Sequence, residues 1–97
     1  MTLSEFRASV KNATPPAVGP ALLALWRDAR GEWDAAHDLA QQVGDDTGAW
    51  VHAYLHRKEG DVGNAGYWYG RAKKTPATGS VDDEWQSIAR ALLALEE

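Results

Sequence analysis

The feature that most constrains this chain is an internal repeat: residues 25–36 and residues 54–65 carry the same pattern, 29 positions apart. Each copy has an apolar pair, a charged stretch, a glycine, an acidic residue, an apolar residue and, three positions later, an alanine. The glycines, Gly31 and Gly60, suit tight turns, and an acidic residue suits the start of the next helix. Because repeats of roughly 20–50 residues are typical of stacked helix pairs, the pattern predicts two consecutive helix–turn–helix units.

The segments around the repeat extend the helical pattern to the whole chain. Apolar residues recur in steps of three and four, and no segment alternates with period two, so no strand is predicted. The predicted fold class is all-α, with about six helices in a single domain over residues 1–97. Repeat-like units cover about 21–44 and 49–76, flanked by an N-terminal helix and a capping helix at 80–96. The predicted helices span about residues 3–11, 20–30, 32–43, 49–59, 61–74 and 80–96, with a turn at residues 44–48.

The residues around the two turns resemble the tetratricopeptide repeat. The signature of this family begins with Gly-Asp-aromatic and continues with alanine, an aromatic residue, alanine and proline. The second unit resembles the whole signature, and the first unit resembles its first half. The matching residues are Gly60, Asp61, Val62, Ala65, Tyr69, Ala72 and Pro76, and then Gly31, Glu32, Trp33 and Ala36. The resemblance covers residues 21–76. It departs from the family in its period of 29 rather than 34, its early proline, its missing first-helix glycine and its two copies where about three are usual.

A second resemblance concerns the fourth and fifth predicted helices. The string over residues 50–61, followed by Asn64-Ala65, residues 67–69, Arg71 and Ala72, resembles a set of short bacterial proteins. This resemblance implies a fold and no activity.

Composition excludes several classes of function. The formal net charge is −4, which argues against nucleic acid as the main partner because phosphate binding needs a basic face. The chain has no cysteine, so neither disulfides nor thiolate metal sites are predicted. Its longest apolar run, residues 21–26, is far shorter than a membrane span of about 20 residues. The expected location is the cytoplasm, with no membrane association.

The leading functional prediction is a non-enzymatic protein–protein interaction module, whose partner is an unidentified protein or peptide. The tetratricopeptide resemblance implies that the first helix of each pair faces a groove. Trp50, Tyr54, Arg57 and Lys58 would line it, and the cations would hold an acidic side chain or a C-terminal carboxylate. Replacing both cations by alanine is expected to weaken binding with little change in melting temperature. The alternative is a solvated helix end at which the cations favour the helix dipole.

A second candidate interface lies on the fifth predicted helix. Tyr67 and Arg71 are four residues apart and therefore share its outward face, where an exposed Tyr–Arg pair suits a protein interface. No serine lies near a histidine in the sequence, and no glycine-rich phosphate loop follows a strand. The sequence therefore predicts no catalytic residues and no cofactor.

The alternative function is binding of a divalent metal or small ligand by a stripe of histidines. His52 and His56 are four residues apart, the spacing by which zinc-binding helices place two imidazoles on one face. Glu59 lies near the same stripe, and His37 on the preceding helix would supply a third ligand if the two helices pair. In the competing interpretation, the histidines flank the core and hydrogen-bond to neighbouring groups.

Two further features carry predictions about packing. Gly63, Gly66 and Gly70 share one side of the fifth helix, which favours a close approach by another helix, with the floor of a peptide groove as the alternative. The sixth helix has a continuous apolar stripe that Ala89 and Leu93 widen. Homodimerisation through this C-terminal helix is therefore a third possibility for the partner.

Overall fold

A computed structural model describes residues 1–96, and over these residues the chain forms six α-helices and no strand. The helices are α1 (Leu3–Ser9), α2 (Pro20–Ala29), α3 (Trp33–Gln42), α4 (Asp46–Glu59), α5 (Val62–Ala72) and α6 (Val81–Leu95). The predicted all-α class with about six helices is confirmed.

Local capping interactions determine where several helices begin and end. At α1, the Glu5 amide donates to the Thr2 hydroxyl over 3.1 Å, and the Thr2 amide donates to the Glu5 carboxylate over 2.8 Å. This reciprocal capping box satisfies two amides that lack partners within the helix. Ser80 caps α6 by accepting from the Asp83 amide at 3.0 Å. Gly60, with φ of 92°, ends α4 in the left-handed conformation that glycine adopts most easily.

The start of α4 differs from the sequence prediction. Residues 46–48 belong to the helix rather than to a turn, because the Asp45 carboxylate accepts hydrogen bonds from the Thr47 hydroxyl and from the amides of Thr47 and Gly48. These hydrogen bonds lower the pKa of Asp45, and the bond from the Thr47 side chain has the largest effect. A side chain at Gly48 would collide with the backbone carbonyl of Val43, so glycine lets the first turn of α4 approach the end of α3.

The helices pack as two consecutive hairpins with flanking helices. Helix α2 packs on α3 and α4 on α5, each pair across a short glycine turn, while α3 contacts α4 and so joins the two units. Helix α6 packs on α2 and α4, and α1 packs on α6. The main hydrophobic core draws residues from α1, α2, α3, α4 and α6, whereas α5 contributes to a separate, smaller cluster around Ala53, Ala65 and Tyr69.

A carboxylate at the end of α2 is buried between the two units. The Asp28 side chain is 1% exposed and accepts from the Tyr54 hydroxyl at 2.6 Å and from the Lys58 ammonium at 2.9 Å. Burial, followed by the hydrogen bond to Asp28, raises the pKa of Tyr54. The carboxylate therefore has both a neutral and a charged donor, as buried anions require.

Glu84, in the first turn of α6, is a second buried carboxylate with the same kind of partners. It accepts from the Tyr69 hydroxyl at 2.5 Å and from the Arg57 guanidinium at 3.0 Å. Arg57 also donates to the carbonyl of Gly79, so it fastens the loop before α6 to α4. Burial and then the hydrogen bond to Glu84 raise the pKa of Tyr69.

The glycines of α5 do not serve close helix packing, contrary to the favoured interpretation. A β-carbon built at Gly63, Gly66 or Gly70 would have no neighbour within 4 Å. All three are exposed, and α5 packs chiefly on α4. The glycines therefore form part of an open helix face.

The apolar stripe of α6 faces the interior of its own chain. Ala89 and Leu93, which the homodimer prediction used, are both buried in the main core, while Leu95 is exposed. Among the helices of residues 1–96, none is long and apolar enough to cross a membrane.

Candidate metal centre

The three histidines of the chain meet where α3 crosses α4. His37 lies on the α4-facing side of α3, and His52 and His56 lie one turn apart on α4. One ring nitrogen from each histidine lies within 4.8 Å of one from each of the others. The spacing of four within α4 aligns two of the rings, and the pairing of α3 with α4 brings in the third across 15 residues of sequence.

His37 and His52 are in direct contact through their Nε2 atoms, which are 2.8 Å apart. One ring must donate and the other accept, so the two imidazoles hold complementary tautomers. The lone pair of the accepting nitrogen is occupied by this hydrogen bond, so that nitrogen becomes a ligand only when the bond opens. The other becomes a ligand after its proton moves to Nδ1.

Glu59 orients His56 from one turn further along α4. The Nδ1 atom of His56 lies 2.7 Å from the Glu59 carboxylate. Donation of the Nδ1 proton to a carboxylate leaves Nε2 as the nitrogen available for a metal. Metal-binding histidines usually have a carboxylate or carbonyl in this position, because it holds the tautomer and increases the basicity of the ring.

Two tryptophans form walls on either side of the histidines. The Trp33 ring stacks on His37 with centroids 5.0 Å apart, and its Nε1 donates to the Leu55 carbonyl at 3.0 Å. From α5, Trp68 stacks on His52 with centroids 3.9 Å apart and an interplanar angle of 16°. The two indoles therefore cover one face of His37 and one face of His52.

The environment keeps His52 uncharged. Its side chain is buried, and burial, followed by the charges of His37 and His56, lowers the pKa of His52 to about 4. Neutral imidazole is the form that binds metal, so at neutral pH this ring needs to lose no charge before it acts as a ligand.

The separations between the rings suit one ion after a small adjustment. Zinc–nitrogen bonds of about 2.05 Å in a tetrahedron place ligand nitrogens about 3.3 Å apart. The contact between His37 and His52 is shorter than this, and all three pairs lie within the 4.8 Å limit. Rotations of the side chains would therefore bring three nitrogens into one coordination sphere, with the fourth position left for water or another ligand.

The four predicted groove residues share one side of α4 but have different partners. Tyr54 is buried, and Lys58 beside it is paired with Asp28. Arg57 faces Glu84, while Trp50 is half-buried with the Lys74 ammonium 4.2 Å from its ring centroid. Tyr54 and Lys58 thus share Asp28, whereas Arg57 and Trp50 have partners of their own.

Tyr67 and Arg71 lie together on the outer side of α5. Tyr67 is 56% exposed, and the Arg71 guanidinium donates to its hydroxyl at 2.9 Å. The same guanidinium lies 5.6 Å from the ring centroid of Trp68. This exposed pair therefore adjoins Trp68, which covers one side of the histidine cluster.

Sequence reasoning identified the three histidines and Glu59 and missed both tryptophans. In the sequence Trp33 stands out only as a residue of the repeat signature, although its spacing of four from His37 is compatible with a stacked pair. Nothing in the local sequence connects Trp68 with His52, because their contact depends on how α5 packs on α4. His56, Glu59 and Asp61 form a second group with ligand atoms within 4.8 Å, of which the two carboxylates are exposed.

Comparison of the chain with family models, with curated proteins and with solved structures gives no match in any of the three. Its function is therefore argued from the geometry of the site.

Proposed function

We propose that this protein is a helical domain that binds one divalent transition-metal ion, zinc in the first instance, through His37, His52 and His56. The observation that carries the proposal is the convergence of three imidazole nitrogens from two helices within 4.8 Å of one another. Imidazole suits zinc, copper and nickel, and three histidines with one open position are an established zinc-binding arrangement. The role is binding and non-enzymatic.

The surroundings of the histidines support binding beyond simple packing. Buried imidazoles need hydrogen-bond partners in either role, so the feature that favours a metal is that nitrogens of all three rings lie next to one another. Here Glu59 holds the Nδ1 side of His56, and His52 is kept neutral by burial. Both features favour a neutral imidazole with one nitrogen available to a metal ion.

The proposal is tested by thermal unfolding with and without zinc. An ion that binds the native chain stabilises it by about 2.7 kcal/mol at a concentration 100 times its dissociation constant. For a domain of this size, that raises the melting temperature by roughly 10–20 °C. We expect one zinc ion per chain by calorimetry and an intense visible absorption band from tetrahedral Co²⁺.

The control for this experiment uses half-buried His37, whose replacement disturbs the core less than replacement of His52 or His56. His37→Gln should remove most of the shift in melting temperature, and Asp34→Asn on the exposed side of α3 should retain it. A wild-type chain whose melting temperature does not respond to Zn²⁺, Co²⁺, Ni²⁺ or Cu²⁺ would rule out the proposal and leave the histidines a packing role.

A second candidate function is protein–protein interaction through the outer face of α5, where the sequence places Tyr67 and Arg71 as an exposed pair, in a cytoplasmic setting. It is favoured by one observation: α5 packs chiefly on α4 and leaves Tyr67, Arg71 and three glycines exposed. The partner would be a protein or peptide.

This interaction is tested with a surface variant that leaves the core intact. The double variant Tyr67→Ser/Arg71→Ser should not bind a partner that the wild type and a Lys73→Ser control both bind at the same protein concentration. Equal retention by all three proteins would remove the α5 face from consideration.

A further inference from the structure

A cavity lies on the side of α4 away from the histidines. It has a volume of about 540 Å³, which is within the range of small-molecule sites. Its walls come from the end of α1, the ends of α2 and α4, and the start of α6. Four separate segments therefore meet around it, and none of them fills it.

One part of the cavity lining is apolar. Val10 and Val81 are half-buried, Trp85 is buried, and Ala29 adds a methyl group at the end of α2. Phe6 stacks on Trp85 from the core side at 5.6 Å between centroids, which holds the indole in position. This part would accept an aliphatic chain.

The polar part of the lining carries an excess of positive charge, although the whole chain is acidic. Arg7, Lys11 and Lys58 face two carboxylates, those of Asp28 and Asp82. Asp28 already accepts hydrogen bonds from Lys58 and the Tyr54 hydroxyl, and the excess over the two carboxylates is one positive charge. Within residues 1–96, no carboxylate forms an ion pair with Lys11.

Several hydrogen-bond donors that line the cavity are available to a ligand. An ammonium group has three donors, and Lys58 uses one of them on Asp28. Arg7 pairs with Asp82 over 2.8 Å, but both side chains are at least half exposed, so this ion pair exchanges readily with another anion. An incoming carboxylate would therefore meet up to three cations without having to break a buried contact.

We propose that this cavity is a second binding site, independent of the metal centre, and that it takes a small aliphatic monocarboxylate. The carboxylate lies between Lys11 and Lys58, with Arg7 as a third donor, and the alkyl chain lies against Val81 and Trp85. The buried Asp28 holds the Lys58 ammonium in position.

The proposal is tested with octanoate and its uncharged analogue 1-octanol, added to the ¹⁵N-labelled protein in the presence of a chelator. Octanoate should shift the amide signals of residues around Lys11, Ala29 and Val81, and octanol should bind at least about tenfold more weakly because it lacks the charged head group. Equal binding of the two compounds, or shifts spread away from the cavity, would overturn the proposal.

Variants at exposed positions keep the test independent of folding. Lys11→Ala should weaken octanoate binding by about tenfold, and Ala29→Trp should abolish it by filling the cavity. Arg90→Ala, an exposed cation on α6 that does not line the cavity, should leave the affinity unchanged. Unchanged binding by Ala29→Trp would show that the acid binds elsewhere.

Two further measurements identify the source of the carboxylate and separate the two sites. The first uses a pentapeptide that ends in leucine with a free carboxylate. If this peptide binds at the cavity and octanoate does not bind, the carboxylate belongs to a protein chain and the small-acid proposal is overturned. His37→Gln should bind octanoate like the wild type, because the cavity shares no residue with the histidine cluster. A loss of binding in that variant would show that the acid binds at the histidines and would overturn the proposal.

Discussion

At the scale of single residues, the fold decides the chemistry of the histidines. His52 is buried between Trp68 and the other two imidazoles, and it has no carboxylate partner of its own within residues 1–96. A charge on it would be both desolvated and close to two like groups, which is why its pKa falls to about 4. The stability of the chain should therefore depend on pH.

The first prediction concerns that dependence in the metal-free protein. Between the ordinary pKa of histidine, 6.5, and about 4, the unfolded chain binds a proton at position 52 that the native chain does not. His52 therefore leaves the free energy of unfolding unchanged above pH 6.5. As the pH falls from 6.5 towards 4, it lowers that free energy by roughly 2–3 kcal/mol. Urea unfolding at several pH values, with a chelator present, measures the effect.

The matched variant for this measurement is His52→Gln, which has no proton to gain. Its stability should fall less than that of the wild type between pH 7 and pH 5. Equal slopes for the two proteins would show that His52 titrates normally.

The second prediction corrects the sequence-based expectation that alanine at Arg57 and Lys58 leaves the melting temperature almost unchanged. Each cation pairs with a buried carboxylate, so its removal leaves that charge without its ionic partner. Because Lys58 is itself partly exposed, we expect Lys58→Met to lower the free energy of unfolding by about 2 kcal/mol, between the values for surface and buried pairs. Urea denaturation is the measurement.

A double-mutant cycle with Asp28→Asn checks the cause of that loss. The double variant should be more stable than the sum of the single effects implies, because the unpaired charge is gone. Lys73→Met, at an exposed cation, should change stability by no more than about 0.5 kcal/mol. Additivity in the cycle would argue against the ion pair.

At the scale of helices, α5 carries a cost that its packing does not explain. Glycine in a helix interior is about 1 kcal/mol less favourable than alanine, and the three glycines of α5 have open space around them. The third prediction is that Gly66→Ala raises the free energy of unfolding by about 1 kcal/mol. Thermal and urea unfolding of the purified variant provide the measurement.

The contrasting variant is Gly48→Ala, in the first turn of α4. Its new methyl group would meet the Val43 carbonyl, so it should destabilise the chain. A Gly66→Ala chain no more stable than the wild type would mean that the exposed face of α5 is more crowded than the structure indicates.

At the scale of the whole molecule, the two hydrophobic clusters are unequal. Five helices share the main core, whereas α5 packs in a small cluster of its own. The fourth prediction is that α5 opens before the rest, because fewer buried apolar contacts hold it. Amide hydrogen exchange should therefore be faster in α5 than in α2 or in the buried part of α4.

Lowering the overall stability with mild denaturant separates local from global opening. Exchange in α5 should respond weakly to denaturant and exchange in α2 strongly, since only the second requires global unfolding. A common exchange rate and denaturant response for both helices would show that the two clusters unfold as one unit.

The sequence by itself determined what depends on a few neighbouring residues. The turn at Gly60 and the alignment of His52 with His56 are both local, so rules of spacing and residue type were sufficient. The start of α4 was the exception, because the Asp45 cap was hidden among residues that also suit a turn.

Only the tertiary structure decided which residues face one another across helices. His37 reaches His52, Trp68 stacks on His52, and Lys58 pairs with Asp28, 30 residues away. These contacts depend on the crossing of helices and on which face of each is covered, and hydrophobic periodicity specifies neither. For the same reason the sequence suggested metal ligands, while their convergence, and the cavity on the other side of α4, followed from packing.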